Sequence, residues 1–129
     1  MSNAAILCVD DEDSILKALK EQLKCCFGNR YIYEVAQSAA EAWMVLDELE
    51  AEGIKILIIV SDWLMPNIRG DEFLATVHQR FPAIITIMLT GQADAAAIER
   101  ARQHANLYAC LHKPWAEEEL QLVISTALS

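Results

Sequence analysis

The stretch Gly53–Gly70, GIKILIIVSDWLMPNIRG, decides the fold. Within it Ile56–Val60 is apolar without a break, where a strand with one wet face would alternate. Such a run reads as a strand buried on both faces, the habit of parallel sheets covered by helices. The run ends at Ser61-Asp62, breaks at Pro66 and turns through Asn67 to Gly70. A carboxylate is thereby carried to the carboxyl end of a central strand, where open α/β sheets place their ligands. Alone, Asp62 would be no more than the start of a loop.

On the N-terminal side, Ala5–Val9 is a second apolar run, followed at once by Asp10-Asp11-Glu12-Asp13. Ser14 is placed to cap a helix whose stripe is Ile15, Leu16, Leu19 and Leu23. Tyr31–Ala36 has strand composition broken by Glu34, which predicts a place toward the sheet edge. Ser38-Ala39-Ala40-Glu41 has the spacing of a capping box; Ala42, Val45, Leu46 and Leu49 follow at helical intervals, and Gly53 ends that helix.

On the C-terminal side, Asp71 opens a third helix with Phe73, Leu74, Val77 and Phe81 inward and Pro82 stopping it. Ile84–Leu89 is a solid apolar strand ending in Thr90-Gly91. Ala93–His104 reads as helix with Asp94 as its cap, and Tyr108–His112 as a strand ending in Lys113-Pro114. The last helix has Leu120, Val123, Ile124 and Ala127 on one face and Glu117, Glu118 and Glu119 in its first turn, favourable to the helix dipole. Five strands alternating with five helices over short connections predict an α/β fold, a parallel sheet covered on both faces.

A chain of 129 residues, 54% hydrophobic, is expected to form one domain over 1–129 with a substantial core. Its net charge of −9 argues against direct nucleic-acid binding, which needs a basic surface. No apolar run approaches the roughly 20 residues of a membrane helix, and the N-terminus lacks the shape of a signal peptide. Cys8, Cys25, Cys26 and Cys110 show neither a C-x-x-C pair nor zinc spacing. Cys8 and Cys110 read as small buried hydrophobes and Cys25-Cys26 as reduced thiols near a helix end, which fits a cytoplasmic protein.

Four predicted strand ends carry polar groups toward one crevice: Asp10-Asp11, Asp62, Thr90 and Lys113. Singly, each has an ordinary explanation as a turn, a cap or a surface lysine. Together they offer carboxylates for a hard cation, a nucleophile, a hydroxyl donor and a fixed positive charge. That set suits phosphoryl transfer. Clustered carboxylates repel one another, and Mg²⁺, which takes one or two carboxylates plus waters and phosphate oxygens, relieves this. In that chemistry Lys113 and the ion would offset charge on the phosphoryl group, Thr90 would donate to it, and Asp62 would be the nucleophile, forming an aspartyl phosphate.

With VDDED at Val9–Asp13, SDWLMP at Ser61–Pro66, LTG at Leu89–Gly91 and HKPW at His112–Trp115, the chain resembles the receiver domain of bacterial two-component response regulators over nearly its whole length. It resembles, more weakly, receivers attached to HD-type cyclic-dinucleotide phosphodiesterase domains. The resemblance implies a flavodoxin-like doubly wound (βα)5 sheet of strand order 2-1-3-4-5. It implies that Asp62 is phosphorylated by the phosphohistidine of a histidine kinase or phosphotransfer protein. Asp11 matches a direct Mg²⁺ ligand, Asp10 the neighbour that orients a metal-bound water, and the Leu64 backbone carbonyl the third protein ligand beside Asp62. Thr90 matches the switch hydroxyl and Lys113 the phosphoryl-binding lysine, whose bond to Pro114 is expected to be cis. Phosphorylation would then act on the surface of the fourth helix, fifth strand and fifth helix, toward an output domain, a partner protein or a second copy of the chain.

Two positions depart from the pattern. Receivers usually carry an aromatic residue three before the lysine; Cys110 stands there, and Tyr108, on the same strand face by alternation, either takes over or packs as a half-buried tyrosine. Leu64 is apolar where some receivers have a polar side chain near the path of an attacking water, which predicts slow self-dephosphorylation. Gln92, two residues past Thr90, is a polar neighbour able to hold such a water. His78, His104 and His112 lack a metal or triad context and read as solvated. Trp43 and Trp115 read as packing residues. The Trp63 N–H is placed to meet the phosphoryl group and its ring to shape the pocket mouth.

A haloacid-dehalogenase-type phosphatase would need a second aspartate two residues after the nucleophile, where this chain has Leu64. A phosphorylation-independent interaction module of receiver fold is favoured by Cys110 and opposed by the full set Asp10, Asp11, Asp62, Thr90 and Lys113. Self-catalysed phosphotransfer does not make the chain a turnover enzyme. The chain ends as the last helix finishes, as expected of a single-domain regulator or of a receiver cut from a longer protein.

Overall fold

The computed structural model describes residues 3–91 and 95–129. Its elements are β1 (Ala4–Val9), α1 (Asp13–Phe27), β2 (Ile32–Ala36), α2 (Ala39–Ala51), β3 (Lys55–Asp62), α3 (Gly70–Arg80), β4 (Ile85–Thr90), α4 (Ala95–His104), β5 (Leu107–His112) and α5 (Glu117–Leu128), with a short 3-10 turn at Gly28–Arg30 after α1. The strands form one five-stranded sheet in the order β2-β1-β3-β4-β5. Every neighbouring pair is parallel. The doubly wound architecture expected from the sequence is therefore present, and β2, broken by Glu34, is an edge strand.

Alternation along the strands feeds two cores. On β1, Ala5, Leu7 and Val9 face the cluster built with Leu46, Phe73, Val77 and Ala101 from α2, α3 and α4. Ile6 and Cys8 face Leu16, Leu19, Leu23, Leu120 and Ile124 from α1 and α5. At about 25 cal/mol per Å² of apolar surface removed from water, these two layers are the main source of stability. No described helix is long and apolar enough to cross a membrane.

Several local readings are corrected. α1 starts at Asp13 with Glu12 as its cap, so Ser14 lies inside the helix and does not cap it. The Glu12 N–H donates to Asp10 Oδ1 at 2.9 Å, which fixes the chain direction before Ser14 is reached. Ser38 does cap α2, accepting from the Glu41 N–H at 3.1 Å. Helix α2 closes at Gly53 in the left-handed region, φ 75°, with Gly53 N–H on the Glu50 carbonyl and Ile54 N–H on that of Leu49, the paired bonds of a Schellman motif. β3 runs on through Ser61 and Asp62 because both still pair, Ser61 with Val9 and Asp62 with Leu89. Asp94 and Gln92, the expected cap of α4 and the expected holder of a water, lie outside the described residues.

Candidate functional site

The sheet reverses direction of winding between β1 and β3, and both strands end in carboxylates there. Asp10 is held at the end of β1 by its N–H on the Ala36 carbonyl at 3.1 Å and is fully buried. Asp62, 6% exposed, is the last residue of β3. Asp11 is exposed beside them. One carboxylate oxygen from each of Asp10, Asp11 and Asp62 lies within 4.8 Å of the others, a set of hard oxygen donors that fits Mg²⁺ or a similar cation.

Lys113 comes from just beyond β5, where its backbone N–H bonds the Thr90 carbonyl at 2.8 Å and its bond to Pro114 is cis. Its Nζ lies 2.8 Å from Asp10 Oδ2 and 3.1 Å from Asp62 Oδ1. Burial pushes the Asp62 carboxyl above the ordinary aspartate value; the Asp10 charge adds to this, and the hydrogen bond from Lys113 opposes it. For Lys113 burial acts downward, but the two carboxylates together outweigh it and raise the ammonium above the ordinary lysine value. The lysine is thus held charged, and Asp62 is the group whose ionisation the fold resists.

Asp11, Glu12, Asp62, Trp63, Leu64, Gly91 and Lys113 line a hollow of about 410 Å³. A slightly larger one, about 450 Å³, lies at the opposite end of the sheet between Ile54–Ile56 and Phe81–Ile84. It is mostly apolar and gathers no cluster of carboxylates, so chemistry and not volume selects the first. Leu64 is 58% exposed at its mouth. The turn after β3 is pinned by a bridge between Leu64 and Arg69, in which Gly70 N–H donates to the Trp63 carbonyl at 2.6 Å.

Thr90 is buried at the end of β4, near enough to the Cys110 thiol on β5 to draw the thiol pKa down against burial. Cys110 is only half-buried, which corrects its reading as a core residue, and burial still raises its thiol pKa. Cys8 is the buried one, its pKa pushed up to about 12 by burial. Tyr108 is 44% exposed, more open than a half-buried packing tyrosine. The Trp63 N–H is engaged by the Leu89 carbonyl at 2.9 Å, continuing the β3–β4 ladder, so it does not point to a phosphoryl group as expected. Trp63 is among the residues that line the pocket.

The other tryptophans pack as read: Trp43 meets Phe73 edge-on at 5.8 Å, and Trp115 donates to Gln22 Oε1 at 2.8 Å, tying the start of α5 to α1. His104 and His112 are exposed. His78 is not simply solvated, since its Nδ1 is buried without a partner among the described residues. Sequence reasoning missed two residues that shape the site from outside. Gly70 packs on the backbone of Asp62 and Trp63, and Asp71 is a buried carboxylate.

The family profile described as the response regulator receiver domain matches residues 6–125. Among characterised proteins, the hydrogenase transcriptional regulatory protein HoxA of Cupriavidus necator is 31% identical over 117 residues, covering 91% of this chain and 22% of that protein. The chain therefore spans about a fifth of that relative's length. Among solved structures, the signal receiver domain of an HD domain-containing protein from Pseudomonas fluorescens Pf-5 is 30% identical, with TM-score 0.85 and coverage of 97% and 94% of the two chains. The beryllofluoride-activated NtrC4 receiver domain dimer is 27% identical, with TM-score 0.81 and coverage of 97% and 95%.

Proposed function

The chain belongs to the response regulator receiver domain family, and from that premise we propose that it is a phosphoacceptor in which Asp62 takes a phosphoryl group from the phosphohistidine of a histidine kinase or phosphotransfer protein. The observation that carries this reading is one partly buried lysine, Lys113, shared by two buried carboxylates, one of them at the end of the central strand. An Asp62 carboxylate oxygen bonds to phosphorus as the P–N bond to the donor imidazole breaks and its electron pair returns to the ring. Lys113, already between Asp10 and Asp62, turns to the incoming phosphoryl oxygens, and the Thr90 hydroxyl donates to the same group. Asp10, Asp11, Asp62 and the Leu64 carbonyl would hold Mg²⁺, which when bound neutralises the crowded carboxylates and the phosphoryl charge. Residues 1–129 then act as one receiver domain that signals and does not turn over substrate. A second copy of the chain is one candidate partner, since the NtrC4 receiver is a dimer when activated.

The test is intact mass after incubation with acetyl phosphate, with and without Mg²⁺, on wild type and Asp62→Asn. A single phosphate adduct is expected, dependent on Mg²⁺ and absent in the variant. Failure of acetyl phosphate and of a panel of histidine kinases alike to give the adduct would favour the interaction-module reading that Cys110 first raised.

The same adduct is expected to decay slowly. Leu64 covers the mouth of the pocket with an apolar side chain that cannot orient a water. Leu64→Asn should shorten the half-life by about tenfold, less than the ~10²–10⁴ of a positioned general base. Equal decay in the two proteins would remove Leu64 from the account.

A further inference from the structure

Asp10, Asp62 and Asp71 are the buried carboxylates among the described residues, and only Asp71 stands outside the acidic pocket. A buried carboxylate is tolerated only where it is paired. Asp71 is paired twice: its Oδ1 lies 3.2 Å from Arg69 Nε and its Oδ2 lies 3.2 Å from Arg100 Nε. Arg69 belongs to the loop that leaves β3, Asp71 to the first turn of α3, and Arg100 to α4. One side chain therefore ties three elements together.

On the acceptor side the connection is backbone on backbone. Gly70, the neighbour of Asp71, sits so close to β3 that a Cβ there would overlap the Asp62 carbonyl oxygen, and its N–H is bonded to the Trp63 carbonyl. A displacement at the end of β3 is passed to Gly70, then to Asp71, then across the ion pair to α4. The route through β5 is poorly equipped by comparison. Cys110 has no ring to swing, and Tyr108 is 44% exposed.

We propose that Asp71 couples the acceptor strand to α4: its ion pair with Arg100 latches α4 to the start of α3, and a change at Asp62 reaches α4 through that pair. Asp71 is a positioning residue and touches no phosphoryl group. The transmission step rests on the reading of Asp62 as the acceptor, whereas the latch itself does not.

Hydrogen exchange of the 129-residue chain, read by mass, separates the two. Wild type, Arg100→Ala and Arg100→Lys are each measured alone and with Mg²⁺ and beryllofluoride. Without ligand, the amides of α4 should exchange about fivefold faster in Arg100→Ala, with α5 unchanged, and Arg100→Lys should restore most of the protection. With beryllofluoride, the change seen at α4 in wild type should be largely lost in Arg100→Ala, while acetyl phosphate still forms the adduct at the wild-type rate. Unaltered α4 exchange in unliganded Arg100→Ala would overturn the latch. An undiminished α4 response to beryllofluoride would overturn the transmission. A wild type that takes no beryllofluoride would sink the acceptor reading and the transmission with it, and the unliganded comparison would still decide the latch.

Discussion

Gly70→Ala is expected to lower the melting temperature by about 10 °C and to slow adduct formation at Asp62 by about a hundredfold. The first figure corresponds to roughly 3 kcal/mol, the upper range of ordinary overpacking. The reason lies in what a methyl group would meet. A Cβ at residue 70 would overlap the Asp62 carbonyl oxygen and lie 2.9 Å from both the Asp62 carbonyl carbon and the Trp63 Cα. Carbon atoms pack favourably at about 3.5–4.0 Å, and every atom in the way is backbone, so no rotamer change relieves the clash. Either α3 retreats or the end of β3 moves, and the Gly70–Trp63 hydrogen bond stretches in both cases. A misplacement of about 1 Å at a reacting group is enough to cost ~10² in rate. Thermal melts followed by the acetyl phosphate mass assay, run well below the variant's own midpoint, check both figures. A variant with wild-type melting and wild-type adduct formation would show that the close approach of α3 to β3 is not what places Asp62.

The same position shows what could and could not be read from the residues. Ile56–Val60 announced a buried parallel strand because a doubly covered strand leaves no room for polar alternation, and the strand ends followed from where the apolar runs stopped. Asp10, Asp11, Asp62 and Lys113 were legible because the topology of an alternating α/β chain sends all carboxyl ends of strands to one edge. What failed to show was one local choice of helix start and whatever depends on a partner distant in sequence. Ser14 looked like a cap, but Asp10 takes the Glu12 N–H and starts α1 earlier. The Trp63 N–H looked available, but β4 supplies the Leu89 carbonyl. Asp71 looked like any acid in a first helical turn, where the dipole welcomes it. Its burial becomes intelligible only with Arg100 on another helix, and no local pattern joins the two. Gly70 was visible as a turn residue, while the close approach that demands glycine was not.

Lys113→Ala is expected to reduce adduct formation by about 10²–10³, the cost of removing one preorganised charge from a developing anion, and to move the acid limb of the pH–rate profile upward. In the wild type, Asp62 has a raised pKa, so the stability linked to its protonation is full below the ordinary aspartate value and is lost as pH rises through the higher folded value. Ionising Asp62 runs against that preference, and Lys113 is a described cation that lightens the cost. Lys113 is itself raised, so its own contribution is complete below the ordinary lysine pKa and disappears only as pH climbs past its folded value, well above neutrality. Without it, burial and the Asp10 charge act on Asp62 unopposed, the acceptor holds its proton to higher pH, and less of it is ionised at any mildly acidic pH. Added Mg²⁺ competes with that proton and should draw the acid limb back down in both proteins, more in the variant than in the wild type. Adduct formation from acetyl phosphate, measured as a function of pH at two Mg²⁺ concentrations, reads all of this. An acid limb at the same pH in both proteins, with equal rates above it, would mean that the Lys113 bridge between Asp10 and Asp62 has no part in setting the acceptor's ionisation.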